Sequence, residues 1–315
     1  MAKYTLKRFG MALITLLIVA SLTFLLMNCI PGGPWQSEKA LSKATVEALN
    51  EKYGLDKPLY VQLGIYLKNM FCGDLGVSFK MQKNRPVVDI IMEMFPVSAG
   101  IGFFSLLWAI LLGIPLGCIA AYKRGTWVDS LLRIICTLGV SMPSFVVASL
   151  LLTTFAGSNA SLRIFPTIFD ASLGAKTYVL PCFALGFYPM CYIARQARSS
   201  MLDAFGQDYI KTARAKGLKN SVVIFKHALR NALIPVITYL GPQIAFVFCG
   251  GFVIEKVFTI PGLGRYFINS ILSRDYPVIM GTTIFLAAFI IFMNFIVDVM
   301  YHIVDPRIKL AGGEK

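Results

Sequence analysis

The stretch MFPVSAGIGFFSLLWAILLGIPLGCIAAY, residues 94–122, contains no Asp, Glu, Lys or Arg. Crossing the hydrocarbon core of a bilayer takes roughly 20 apolar residues as a helix, and this run exceeds that. Five more charge-free runs lie at 9–37, 134–162, 177–194, 231–254 and 276–297, the fourth barely long enough. Each is continuous rather than alternating in polarity. Of the two structures that satisfy their own backbone in lipid, this pattern selects helices over a closed barrel. At 57% hydrophobic and 15% charged residues, the chain is far too apolar for an ordinary soluble domain. The expectation is an all-α membrane protein with six transmembrane helices.

Lys3, Lys7 and Arg8 before the first run mimic the start of a signal peptide. The apolar stretch outruns a usual signal core of about 7–15 residues and no small-x-small cleavage site follows, so a retained helix is expected. Orientation follows from Lys and Arg in the connections. The N-terminus, 123–133, 195–230 and the tail from Asp298 hold 17 Lys+Arg against 6 Asp+Glu. The opposite connections, 38–93, 163–176 and 255–275, hold 13 against 10. The more basic side reads as cytoplasmic, with both termini inside. The formal net charge of +14 is then mostly a statement about topology.

The chain divides on this reading into 1–30 (tail and first span), 31–93 (an external insert), 94–303 (a five-helix core) and 304–315 (a cytoplasmic tail). Within the insert, 43–55 and 60–71 have the pattern of two short helices, followed by the glycine-rich CGDLGVSF. The later spans are rich in helix breakers, among them Pro143, Pro181, Pro235, Gly241 and Pro242. Two readings stay open for these: close packing of helices through small residues, or hinges along a substrate route. Asp298, with His302 one turn on, is expected near the cytoplasmic interface, and Glu255 is expected to face water at the external end of the fifth span. The seven scattered cysteines behave as small apolar residues, and two histidines assemble no zinc site.

No phosphate-cradling G-x-x-x-x-G-K-[ST] is present, nor any H-E-x-x-H, G-x-S-x-G or paired-acid constellation. What remains is the loop 195–230, whose DYIKTARAKGLKNSVVIFKHALRNALIP (208–235) carries six basic residues and one acid. Nucleic-acid binding is excluded by the lack of a stacking aromatic cluster. Contact with anionic lipid is open to any basic loop. The pattern favours a short helix, a C-terminal cap at Gly217 and a second helix running from Ser221 into the fifth span, the first helix serving as a docking surface.

TARAKG (212–217) followed by HALRNALIPV (227–236) resembles the EAA loop of ABC-importer permeases in its peptide-permease form. PGGP (31–34), YGLDKPL (53–59), GDLGVSF (73–79), FPVSA (95–99), PSFVVA (143–148), IPGLGRYF (260–267), RDYPV (274–278) and VDVMYHIVDPRIK (297–309) appear in the order seen in oligopeptide permease B proteins. The resemblance implies a type I importer permease fold and a coupling helix comprising Asp208, Lys211, Thr212, Ala213, Arg214, Ala215, Lys216 and Gly217. Lys211 and Thr212 depart from the family's Glu-Ala. It further implies a multi-pass subunit of the bacterial cytoplasmic membrane, working with a second homologous permease, two ATPase subunits and an extracytoplasmic peptide-binding protein. ATP and Mg belong to the ATPases, and this chain needs no cofactor of its own. Members of the family also carry nickel chelates and other small solutes. The alternative from a different class is a stand-alone secondary transporter or channel.

Overall fold

Inside a bilayer a backbone must bond to itself, and the charge-free runs fold accordingly. The computed structural model describes residues 2–31, 33–35, 43–156, 162, 164–248 and 251–304, without the side chains of 2–7, 43 and 297–304. The helices are α1 (Ala2–Cys29), α2 (Lys43–Tyr53), α3 (Leu59–Phe71), α4 (Val87–Tyr122), α5 (Trp127–Ser141), α6 (Ser144–Phe155) and α7 (Lys176–Phe205). They continue as α8 (Asp208–Ala215), α9 (Asn220–Val222), a π-helical turn (Val223–Ala228), α10 (Leu229–Phe248), α11 (Phe252–Val257), α12 (Leu263–Ser273) and α13 (Tyr276–Val304). Among the described residues, β pairing is confined to two isolated bridges, Val77–Pro86 and Ala156–Phe165. Five helices are long and apolar enough to cross a membrane, and the number is six when α5 and α6 count as one bent span. The all-α reading stands among the described residues, with five to six candidate spans.

Helix ends differ from run ends, because charge does not stop a helix. α4 begins at Val87 and carries Asp89 and Glu93 ahead of its apolar part. At 1.5 Å per residue it is about 54 Å long, well beyond a hydrocarbon core of about 30 Å. α7 runs on through Arg195 and Arg198 to Phe205, since Ala, Arg and Gln are good helix formers, and ends at Gly206. The connection expected over 195–230 is therefore mostly helical. The third span breaks at Met142–Pro143, where the helices meet at 110°. A proline pushes the residue before it out of the α region, and Met142 is extended (φ −85°, ψ 127°).

The chain forms two compact units, Met1–Val97 with Pro261–Phe295, and Ser98–Ile260 with Ile296–Lys315. In the first, Ala20 of α1, Met70 of α3 and Ile284 of α13 form a core to which Tyr66 and Leu75 are added. Burial pushes the Tyr66 hydroxyl well above its ordinary pKa. The segment between α3 and α4 is held by a single carboxylate. Ser78 Oγ donates to Asp275 Oδ2 at 2.6 Å, Phe79 N–H to Oδ1 at 3.0 Å, and the N–H groups of Lys80 and Met81 to Oδ2 at 3.0 and 2.9 Å. Asp275 is completely buried.

In the second unit α7 is the centre, packed by α5, α6 and α10. Its core joins Ala109, Cys136, Met190, Cys191, Ile193 and Val236. Close helix approach is paid for in side-chain size. A Cβ on Gly117 of α4 would collide with the Ala194 carbonyl, and one on Gly186 of α7 would meet Trp108 Nε1 at 2.6 Å. That indole donates to the Cys182 carbonyl at 2.7 Å and stacks on Phe183. Gly117 and Gly186 thus serve close helix packing. Glu255 corrects the sequence reading: it is 1% exposed, because α11 folds back onto α6 and α7 and turns Ile254 and Glu255 inward. The side chains of Asp298 and His302, together with Cys249, Gly250 and the tail beyond Val304, lie outside the described residues.

Candidate functional site

Two apolar side chains orient α8. Ile210 and Ala213, three apart and so on one helix face, pack with Ala121, Met201, Ala204, Val223, Ala228 and Ala232. The polar side faces out: Asp208, Lys211, Thr212, Arg214, Ala215, Lys216 and Gly217 are exposed. Ala213 alone among the eight residues expected to form a coupling helix is buried, so its small size serves the approach of α8 to its own chain. The carboxylate of Asp208 in the first turn suits the positive end of the helix dipole. Lys211 Nζ donates to Asp208 Oδ1 at 2.8 Å with both side chains largely in solvent.

The end of α8 needs a glycine. Gly217 sits at φ +72°, in the left-handed region that ordinary residues avoid. Its N–H donates to the Arg214 carbonyl at 2.9 Å, and the Leu218 N–H reaches the Ala213 carbonyl at 3.4 Å. These are the paired bonds of a Schellman cap, which satisfy carbonyls that the helix leaves open. After the cap the chain re-enters helix at Asn220 and passes through the π turn into α10. The helix–cap–helix order expected over 208–235 is present, with the second helix starting at Asn220 rather than Ser221, and the π turn is new. Such turns occur often at functional positions, and no residue pattern in VIFKHA marks it.

The helix-breaker positions are spread. Pro143 caps α6 at the bend, Pro181 is buried within α7, and Pro235, Gly241 and Pro242 lie within α10. Leu233, Val236, Tyr239 and Leu240 hold that part of α10 against α7, and neither Pro143 nor Pro181 belongs to this cluster.

Sequence reasoning missed an ion pair. Arg198 of α7 gives two bonds to Asp129 of α5, Nε to Oδ1 at 2.6 Å and an Nη to Oδ2 at 2.9 Å. Gly125 N–H adds a bond at 3.1 Å, and Arg133 Nε stands 3.7 Å from Oδ1. Asp129 is 1% exposed. A bidentate guanidinium–carboxylate pair is among the stronger polar contacts and fixes geometry as well as charge. It pins the start of α5 to α7 beside the cluster that seats α8.

An all-helical body with five to six membrane crossings and a capped surface helix between two spans defines a multi-pass membrane protein of the transport-permease class. The chain belongs to the family described as binding-protein-dependent transport system inner membrane component, whose pattern matches residues 113–310, while the N-terminal part of such membrane components matches 1–102. It is 46% identical over 310 residues to the dipeptide transport system permease protein DppB of Bacillus subtilis, covering 98% of this chain and 99% of that one. It is 41% identical to DppB of Lactococcus lactis and 41% identical to the oligopeptide transport system permease protein OppB of Haemophilus influenzae, with 98% of this chain and 100% of theirs covered. The family is a transport permease family and not one of catalytic enzymes.

Proposed function

We propose that the chain is a permease subunit of an ATP-driven peptide importer, forming half of a translocation pathway and docking an ATPase subunit through α8. The observation that carries this is α8 itself: a helix seated by Ile210 and Ala213, ended by a Schellman cap at Gly217, with its charged side unoccupied by any other described element. The peptide substrate is supported by the similarity of the chain, over nearly its whole length, to dipeptide and oligopeptide transport permeases. The partners on this reading are a second homologous permease, two ATPases that bind ATP and Mg, and an extracytoplasmic binding protein. The Lys and Arg asymmetry supports cytoplasmic termini and an external 31–93 insert, and the bacterial relatives support residence in the bacterial cytoplasmic membrane.

ATP closes the ATPase pair and carries α8 with it, and the spans turn from the cytoplasm toward the binding protein. Hydrolysis resets them. Nucleotide and peptide shift this equilibrium only by their unequal affinity for the two states. Pro143, Pro181, Pro235, Gly241 and Pro242 are the hinge candidates, with Pro143 at the 110° bend foremost.

Three substitutions at Gly217 test the docking role. Asn tolerates a left-handed backbone and Val does not. Gly217→Asn is expected to keep co-purification of the ATPases and peptide uptake in proteoliposomes, and Gly217→Ala to weaken both several-fold. Gly217→Val is expected to abolish uptake or assembly. Unimpaired peptide uptake by a stably expressed Gly217→Val protein would refute the assignment.

A further inference from the structure

A cavity of about 250 Å³ opens between α4, α5 and α7, and three of its lining residues are arginines: Arg133, Arg195 and Arg198. One carboxylate answers them. Asp129 is engaged by Arg198 and lies 3.7 Å from Arg133, so the four groups together carry a net charge of +2. Arg195 rests over the Tyr192 ring at 5.3 Å, and among the described residues no carboxylate pairs with it. The rest of the wall is chiefly apolar, with Leu116, Leu132 and Ala194, and Thr137 supplies a hydroxyl. Gly117 sets the floor, where α4 and α7 approach too closely for any larger residue.

Depth narrows the ligand. Arg133 stands six residues into α5, and Arg198 seven before the end of α7. Arg133 and Arg195 directly flank the charge-free runs 134–162 and 177–194, so the cavity sits where an apolar span gives way to its polar connection, the level at which headgroups meet acyl chains. Guanidinium groups at such a depth are costly without an anion or water, and basic pockets between membrane helices are a recurrent form of anionic headgroup site. A volume of about 250 Å³ holds far more than one water, at about 30 Å³ each, yet is smaller than the roughly 300 Å³ at which drug-sized pockets begin. It admits a phosphate and its glycerol, leaving the acyl chains outside against the apolar wall.

We propose that this cavity binds the phosphate of an anionic phospholipid, such as phosphatidylglycerol, between Arg133 and Arg195 while Arg198 stays with Asp129. The proposal is independent of which solute the permease carries. The lipid would brace α5 against α7 at the end of the bundle where α8 is seated, making its occupancy a condition on coupling.

The full-length protein, with the subunits that co-purify, is delipidated in neutral detergent. It is then titrated with phosphatidylglycerol, phosphatidylcholine or inorganic phosphate under native mass spectrometry and thermal unfolding. Phosphatidylglycerol is expected to be retained at least tenfold better than phosphatidylcholine and to raise Tm, at concentrations where inorganic phosphate does neither. The double variant Arg133→Gln/Arg195→Gln is expected to lose that preference. Lys123→Gln/Arg124→Gln, an equal loss of charge at exposed residues outside the cavity, is expected to keep it. Equal retention of the two lipids by the unaltered protein overturns the proposal, as does an equal effect of inorganic phosphate, which would mark a free-anion site. A folded double variant that still selects phosphatidylglycerol overturns it too. The wild-type competition requires no variant, so misfolding of the double variant leaves a decisive measurement in place.

Discussion

Asp129 and Asp275 are both buried, yet their surroundings have little in common. Asp129 is met chiefly by side chains, with Arg198 bidentate and Arg133 further off. Asp275 is met by three consecutive main-chain N–H groups, Phe79 to Met81, and the Ser78 hydroxyl. A guanidinium rides on a flexible stem and can follow a neighbour that shifts. Three successive N–H groups converge only while the loop keeps one shape. The first arrangement ties two helices together, whereas the second dictates a loop conformation. Lys80 bears the cost of that conformation: burial and the nearby Arg274 push its amine below the ordinary value, and Asp275 offsets part of the shift.

The sharpest way to break the comparison is Asp275→Ala. Four donors lose their acceptor, each at about 1–3 kcal/mol where it stays buried. The expected outcome is loss of the folded protein from detergent extracts, or a Tm drop exceeding that of any other single change here. Hydrogen exchange should rise first over 78–82. No second substitution should rescue it, because three of its four donors are backbone N–H groups. Retention of slow exchange in that loop would show that Asp275 does not organise it.

Asp129→Asn comes next. Removing one partner of a buried ion pair costs about 3–5 kcal/mol, since the remaining charge stands uncompensated. Here a rescue is expected: Asp129→Asn/Arg198→Gln should recover a large part of the lost Tm. A double variant no better than the single one would mean that the pair is not a closed unit. Arg133→Gln sits lower on the scale, at about 0.5–1 kcal/mol, because its 3.7 Å contact comes from a half-exposed side chain. The control is the pair in solvent. Asp208, 93% exposed, bonds Lys211 as closely as a buried pair would, yet Asp208→Ala should shift Tm by less than about 1 kcal/mol equivalent. If it also lowers ATPase co-purification, the carboxylate at 208 acts in the interface rather than in the fold.

What the amino acids disclose follows from how local the cause is. The absence of charge over 94–122 and 276–297 is itself the physical requirement for sitting in lipid, so α4 and α13 were legible. Gly217 was legible because its left-handed backbone excludes most other residues. The break at Met142–Pro143 could be read from the proline, but the 110° between its arms depends on what α5 and α6 pack against. Helix ends were not legible from charge, as Asp89 and Arg198 show by lying inside helices. Neither buried carboxylate was foreseen. Asp129 finds Arg198 across 69 positions, and Asp275 finds Ser78 across 197. Moreover, the donors of Asp275 are mostly main-chain groups, which every residue but proline carries, so no residue type announces them.

α7 joins the Trp108–Gly186 contact to the cluster that seats α8 without interruption. Its 30 residues span about 45 Å. Tilting such a lever by about 5° about its midpoint sweeps each end through roughly 2 Å in opposite senses. A beam of that length would turn a small push at one end into an opposite displacement at the other, and Pro181 and Pro189, each leaving a carbonyl of α7 without its helical donor, are where it would bend first.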